Sequence, residues 1–149
     1  MYLKLFQVSK YVYQPIKQTH VQKQKTILVV EDEKSLREAL IDILNMENFI
    51  TIEAKNGREG VELALLKHPD LILLDIIMPE MDGMATLKKI RENKWGVNIP
   101  VIILTNLSTV KNREQLVDDK VASRPTYYLI KSDWKLLDIV KKIEKILTM

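Results

Sequence analysis

The sequence predicts an α/β fold, in which a doubly wound five-stranded parallel sheet carries helices on both faces. Two observations support this prediction. Short apolar runs alternate along the chain with longer stretches whose apolar residues recur at helical spacing. The run at residues 71–74 is apolar at every position, as is typical of a strand buried on both faces of a sheet. Right-handed crossovers between parallel strands leave few other architectures open.

The first strand is predicted at residues 26–30, a β-branched apolar run that ends at the acidic pair Glu31 and Asp32. Ser35 stands three residues before Glu38, the spacing of a capping box, so we expect the first helix to begin at Ser35. A second strand follows at residues 49–54. The order of elements therefore starts as strand, helix, strand.

The next elements continue this alternation. Gly57 opens a second helix, and residues 70–75 form the third strand, which ends in Asp75. Asp82 can cap a third helix because its side chain can accept a hydrogen bond from the helix N-terminus. Residues 99–104 supply the fourth strand, which ends at Thr105.

The C-terminal part is predicted to hold a short helix near residues 109–121, a fifth strand at 126–130 that ends at Lys131, and a last helix. We expect the last helix to begin near Ser132 or Asp133. One side of it should carry Leu136, Leu137, Val140, Ile143 and Leu147. The strand order predicted for these elements is 2-1-3-4-5, the flavodoxin-like order.

Composition limits the classes of protein. Of the 149 residues 46% are hydrophobic, enough for one substantial core, and cysteine is absent. The sequence has no apolar run long enough for a membrane span and no signal peptide, so we expect a cytoplasmic protein. Residues 1–25 carry five lysines and no acidic residue, which predicts a basic, flexible extension before a domain at 26–149. That domain is mildly acidic, so direct DNA binding is not expected.

Three carboxylates are predicted to meet at the carboxyl edge of the sheet. In the order 2-1-3-4-5 the first and third strands are neighbours, which brings Glu31, Asp32 and Asp75 together at the site where open α/β sheets bind ligands. Such a cluster is commonly relieved by a hard cation, and Mg2+ is preferred where phosphate also binds. Asp75 could then attack the phosphorus of a phosphodonor, with Thr105 and Lys131 binding the added phosphoryl oxygens.

These residues resemble the receiver domain of two-component response regulators over residues 26–147. The matching positions are the acidic pair Glu31 and Asp32, Asp75 with the Met-Pro-x-x-Asp-Gly sequence at 78–83, Thr105 and Lys131. The resemblance implies that the backbone carbonyl of Ile77 also binds the metal. It further implies that Tyr128 is a switch aromatic, although a strand tyrosine is more often part of a core.

The resemblance implies a signalling domain rather than an enzyme, and we expect it to stand alone because no output domain follows the last helix of the sequence. A histidine kinase or phosphotransfer protein would phosphorylate Asp75 with Mg2+, which Mn2+ can replace. Thr105 and Tyr128 would then shift the population toward a second state. The fourth helix, fifth strand and fifth helix, roughly residues 107–147, would present that state to a downstream protein target or to a second copy in a phosphorylation-dependent homodimer.

Two departures from the family pattern keep an alternative open. Ser132 stands where the family usually has a proline after the lysine, and Asn106 replaces a small residue after the hydroxyl. Both motivate a phosphorylation-independent adaptor. An aspartyl-phosphate phosphatase of the haloacid-dehalogenase type would need a second aspartate at the position of Ile77. A nucleotide- or flavin-binding domain would need a glycine-rich loop after the first strand, which is absent.

Overall fold

Five parallel strands form one sheet in a computed structural model that describes residues 23–106 and 126–149. The sheet order is β2-β1-β3-β4-β5. The strands are β1 (Thr26–Val30), β2 (Ile50–Ala54), β3 (Leu71–Asp75), β4 (Val101–Thr105) and β5 (Thr126–Ile130). The described helices are α1 (Lys34–Met46), α2 (Gly57–Lys67), α3 (Gly83–Glu92) and α4 (Leu136–Leu147). This architecture confirms the predicted fold class and strand order.

The sheet separates two hydrophobic cores, because successive side chains of a strand point to opposite faces. One core joins β-strand residues to α1 and α4, for example Leu40 and Ile143. The other joins the alternate strand residues to α2 and α3, for example Ala64 and Leu87. All five residues of β3 are buried, as expected for a central strand covered on both faces.

Helix α1 begins earlier than predicted. Its N-terminal cap position is Glu33, and no side chain caps the helix, so the capping box predicted at Ser35 is wrong. The backbone N–H of Arg37 already donates to the carbonyl of Glu33 (3.0 Å). The N–H of Glu33 in turn donates to the carboxylate of Glu31 (3.2 Å). The turn after β1 therefore sets the helix start.

Helix α4 begins later than predicted. Asp133 donates its backbone N–H to the carbonyl of the last β5 residue (3.0 Å), so the chain first makes a turn. The carboxylate of Asp138 then accepts from the N–H of Lys135 (3.2 Å), and the helix begins at Leu136. The predicted start near Ser132 or Asp133 is wrong because this turn is not helical.

The inner face of α4 differs from the predicted one, because Leu137 is exposed while Ile139 and Ile146, which the prediction did not include, are buried. Leu137 is 53% exposed, whereas we expected it to face the core. The buried residues of the helix are Ile139, Val140, Ile143 and Ile146. The predicted face was wrong at these positions, because contact with α1 decides which apolar residues of this helix are buried.

Some predictions lie outside the described residues. These include the short helix near residues 109–121 and most of the basic extension at 1–25. The division of the chain into that extension and a domain at 26–149 stays a prediction. Among the residues that the structure describes, no helix is long and apolar enough to cross a membrane.

Candidate acidic site at the carboxyl edge of the sheet

The pairing of β1 with β3 brings the three predicted carboxylates together. Val30 lies opposite Leu74, so the residues that follow them meet at one edge of the sheet. One carboxylate oxygen from each of Glu31, Asp32 and Asp75 lies within 4.8 Å of the others. Glu31 and Asp75 are only 1% and 5% exposed, whereas Asp32 faces the solvent. This geometry leaves an opening on the Asp32 side.

Lys131 connects two of these carboxylates. Its Nζ lies 2.9 Å from a carboxylate oxygen of Glu31 and 3.1 Å from one of Asp75. The backbone N–H of Lys131 donates to the carbonyl of Thr105 (2.7 Å), which extends the pairing of β4 with β5 by one residue. The ammonium thus reaches the acidic cluster from the end of β5, and its predicted role in binding phosphoryl oxygens stays a prediction.

The charges of the cluster do not balance. Burial raises the pKa of both Glu31 and Asp75, and their mutual repulsion adds to the effect at Glu31. Burial alone would lower the pKa of Lys131, but its hydrogen bond to Glu31 and the attraction of Asp75 raise that pKa overall. One ammonium faces three carboxylates, so ionisation of the cluster favours an added cation.

The loop after β3 holds Asp75 by close backbone contacts. The backbone N–H of Ile76 donates to the carbonyl of Leu104 (3.2 Å), and the N–H of Gly83 donates to the carbonyl of Ile76 (2.8 Å). A Cβ added to Gly83 would lie 2.1 Å from the carbonyl oxygen of Asp75, so only glycine fits here. Asp82 caps α3 through the N–H of its third residue (2.7 Å), as predicted.

Ile77 lies in this same loop. Its backbone N–H interacts with the Asp75 carboxylate and lowers the pKa of that group, although burial has the larger, opposite effect. Its side chain is exposed. The role of its carbonyl as a metal ligand stays a prediction. Every described peptide bond is trans, including the one between Lys131 and Ser132.

Thr105 and Tyr128 lie on one face of the sheet. Tyr128 is opposite Ile103, and Thr105 is two residues further along β4, so both side chains point the same way. Thr105 is buried, and its hydroxyl donates to the carbonyl of Asn106 (3.3 Å) rather than to the Asp75 carboxylate. Tyr128 is 38% exposed, and partial burial raises the pKa of its hydroxyl.

Sequence reasoning missed one residue at this site. Arg37, the fourth residue of α1, is buried, and its guanidinium donates to the backbone carbonyl of Glu31 (2.9 Å). The spacing of Arg37 from the apolar residues of α1 could have identified it. Arg37 precedes the buried Leu40 by three positions and Leu44 by seven, which puts a charged side chain on the apolar face of the helix.

Comparison with known proteins identifies the family. The model of the response regulator receiver domain matches residues 27–132, so the chain belongs to this family. The nitrate/nitrite response regulator protein NarL of Escherichia coli is 36% identical over 126 residues, which are 83% of this chain and 55% of that protein. A protein-glutamate methylesterase/protein-glutamine glutaminase of Archaeoglobus fulgidus is 41% identical over 114 residues, which are 76% of this chain and 31% of that protein.

Solved structures share the fold. The receiver domain of a sensor histidine kinase from Pseudomonas aeruginosa, with a magnesium ion coordinated in its active site cleft, superposes with a TM-score of 0.72 at 23% identity. The match covers 85% of this chain and 99% of that domain. The chain spans 31% and 55% of the two curated relatives described above. What it shares with them is the receiver region.

Proposed function

We propose that the domain is a phosphoacceptor switch in which Asp75 receives a phosphoryl group from a phosphohistidine of a histidine kinase or phosphotransfer protein. The observation that carries this proposal is the contact of the Lys131 ammonium with Asp75 and Glu31, in a cluster that Asp32 completes. The P–N bond of the donor breaks as the bond from phosphorus to an Asp75 oxygen forms. The leaving imidazole takes up a proton.

The donor set of the cluster fits a divalent hard cation. Glu31, Asp32 and Asp75 offer only oxygen ligands, and one ammonium faces these three carboxylates. Burial, with a smaller effect of the neighbouring carboxylates, raises the pKa of Glu31 and Asp75. These carboxylates and the carbonyl of Ile77 would hold Mg2+, and Mn2+ could replace it. Bound Mg2+ would neutralise charge on the transferring phosphoryl group. The magnesium ion in the cleft of the Pseudomonas domain supports this choice.

Other residues of the chain would position Asp75 and bind the phosphoryl oxygens. The close approach of Gly83 to the Asp75 carbonyl fixes the strand end that carries this carboxylate, and the Ile77 N–H favours its charged form. Lys131 is within reach of an oxygen added to Asp75, because it already contacts that carboxylate. The Thr105 hydroxyl could turn from the Asn106 carbonyl to a phosphoryl oxygen, a stronger acceptor because of its charge.

The readout would be a shift between two states of the domain. Movement of Thr105 would free space on the face that it shares with Tyr128, so Tyr128 could turn inward. We propose that a downstream protein, or a second phosphorylated copy, recognises the altered surface within residues 107–147. In this role the domain acts by binding, without DNA contacts of its own and without a separate substrate to turn over.

Two further parts of the proposal are carried over from the sequence. We expect the domain to work in the cytoplasm, where a phosphorylated kinase partner would meet it. The stand-alone architecture also stays a prediction, because the curated relatives are longer than the region they share with this chain. The intact mass of the natural protein, isolated from its source, would test the second point.

The phosphorylation-independent adaptor is the second candidate. Its motivations are Asn106, beside Thr105, and Ser132, which could have re-aimed Lys131 away from the site. Lys131 instead contacts both Glu31 and Asp75, and this contact favours the hypothesis that Asp75 accepts a phosphoryl group. The adaptor would still account for a domain that is never phosphorylated.

Intact-mass measurement tests the proposal. The protein is incubated with acetyl phosphate and Mg2+, beside Asp75→Asn and a chelator control. We expect one added phosphoryl group in the wild type and none in either control. A well-characterised receiver domain is treated in parallel to show that the donor is active. If the wild type gains no mass while the well-characterised receiver domain does, the proposal is overturned and the adaptor is favoured.

A further inference from the structure

We propose that Arg37 is a positioning residue that sets the geometry of the divalent-cation site. This inference rests on the proposed function, because it concerns the same acidic cluster. The guanidinium touches no carboxylate of the cluster. It acts instead on the main chain that carries two of the three carboxylates, at the turn between β1 and α1.

The contacts of Arg37 converge on that turn. Its Nη1 donates to the carbonyl of Glu31 (2.9 Å) and, more weakly, to the carbonyl of Asp32 (3.4 Å). Its Nε lies 3.3 Å from the carboxylate of Glu53, a β2 residue. One planar group therefore ties the acidic turn to both α1 and the edge strand of the sheet. A rigid donor fork suits this task because its donors are fixed relative to each other.

Asp32 depends most on this arrangement. Within residues 23–106 and 126–149, its carboxylate makes no hydrogen bond, so the backbone of the turn alone sets the position from which this side chain extends. Glu31 differs, because Lys131 and the N–H of Glu33 hold its carboxylate directly. Loss of the arginine should therefore release Asp32 first. A metal site loses affinity when the groups that orient its ligands are removed, commonly by 10- to 100-fold.

Burial of Arg37 is hard to explain by packing alone. Its side chain is 6% exposed, although its ion-pair partner Glu53 is 53% exposed. An apolar side chain at this position would fill the same part of the core without the cost of removing a guanidinium from water. The hydrogen bonds to the turn supply a reason for a charged residue here.

Arg91 provides a matched control. It is also a buried arginine that donates to backbone carbonyls, those of Gly96 (2.8 Å) and Ile99 (2.6 Å). These carbonyls precede β4, at the amino edge of the sheet, whereas the acidic cluster lies at the carboxyl edge. Five-residue parallel strands separate the two edges by roughly 15 Å. Replacement of Arg91 should cost stability but leave the cation site intact.

The experiment compares Mg2+ affinity by titration calorimetry in the wild type, Arg37→Lys and Arg91→Lys. It is run well below each unfolding midpoint. Lysine keeps the charge but can no longer form the fork. We expect Arg37→Lys to bind Mg2+ about tenfold more weakly and Arg91→Lys to stay within about twofold of the wild type. Excess Mg2+ should restore the rate of phosphorylation by acetyl phosphate in Arg37→Lys, because Asp75 and Lys131 are unchanged.

The outcomes separate the inference from the proposed function. A wild type that neither binds Mg2+ nor gains a phosphoryl group would overturn the proposed function. A wild type that does both, with equal Mg2+ affinity in Arg37→Lys, would overturn only the positioning role. Equal weakening in Arg37→Lys and Arg91→Lys would also overturn it. If Arg37→Lys and then Arg37→Gln fail to fold while Arg91→Lys folds, the arginine serves the fold itself and the positioning role is overturned.

Discussion

Asp75 and Glu31 are buried carboxylates that reduce the stability of the metal-free domain, and Lys131 offsets only part of this effect. The two carboxylates that contact Lys131 are almost fully buried, and burial raises the pKa of each. Lys131 compensates only part of that charge. The metal-free domain thus keeps an unfavourable interaction that a cation or a proton can relieve. If stability were the only requirement, an uncharged side chain would serve better than a carboxylate at the buried positions of Glu31 and Asp75.

This residual charge gives a pH-dependent prediction for Asp75→Asn. The pKa of Asp75 is raised in the folded state, so the folded carboxyl binds a proton more tightly than the unfolded one. Its contribution to stability is present below its ordinary pKa of 3.8 and is lost as pH rises through the shifted value. Asparagine cannot ionise. At neutral pH without metal, we expect Asp75→Asn to melt a few degrees above the wild type.

Thermal melts across a pH series, with chelator present, would check this prediction. The difference between the two proteins should shrink as pH falls toward 4, where a protonated carboxyl and an amide carry the same charge. Asp133→Asn provides the control, since this residue lies in an exposed turn. A wild type that is the more stable protein at neutral pH, or a difference that does not change with pH, would contradict the argument.

At the scale of elements, the strands were easier to predict from sequence than the helix ends. Strands β1 and β5 have the predicted bounds, because short β-branched or aromatic runs bounded by polar residues mark them. The starts of α1 and α4 were missed, because hydrogen bonds in the preceding turns decide them. Arg37 was missed for a related reason. Its spacing puts a charged residue on the apolar face of α1, but its partners at the acidic turn are backbone carbonyls, which the sequence does not identify.

The loop between β3 and α3 gives a prediction for Gly83→Ala. An added Cβ would meet the Asp75 carbonyl at 2.1 Å and the Ile76 Cα at 2.8 Å, and neither backbone atom can move without shifting the strand end. We expect a loss of about 2 to 3 kcal/mol in the free energy of unfolding. Phosphorylation of Asp75 should slow at least tenfold, because a displacement near the reacting group strongly reduces rate.

Gly60→Ala is the matched control for that variant. Its added Cβ would meet side-chain atoms of Val30 at 2.9 Å, and these can yield more readily than backbone. Urea unfolding measures stability, and intact mass against time measures phosphorylation by acetyl phosphate. The prediction fails if acetyl phosphate phosphorylates both glycine variants at the wild-type rate. It also fails if the phosphorylation rate falls equally in both variants.

At the scale of the whole molecule, the site joins elements that are far apart in the chain. Lys131 contacts Glu31 across 100 residues of sequence, and the cluster includes the ends of β1 and β3. Sequence could predict this convergence because the strand order follows from alternating elements and right-handed crossovers. It could not predict which hydroxyl or aromatic contacts exist, such as that between Thr105 and Asn106, because side-chain rotamers depend on packing.

Because the cluster ties these strand ends together, Mg2+ should stabilise the entire domain. A ligand that binds only the folded state stabilises it by about 2.7 kcal/mol at 100 times its dissociation constant. For a domain of this size the melting temperature should rise by roughly 5 to 10 °C.

Scanning calorimetry with and without Mg2+ measures this shift, and Glu31→Gln should reduce it because one ligand charge is lost. Chelator should reverse the shift in the wild type. An equal shift in both proteins would mean that Mg2+ acts elsewhere on the surface and that Glu31 is not a ligand.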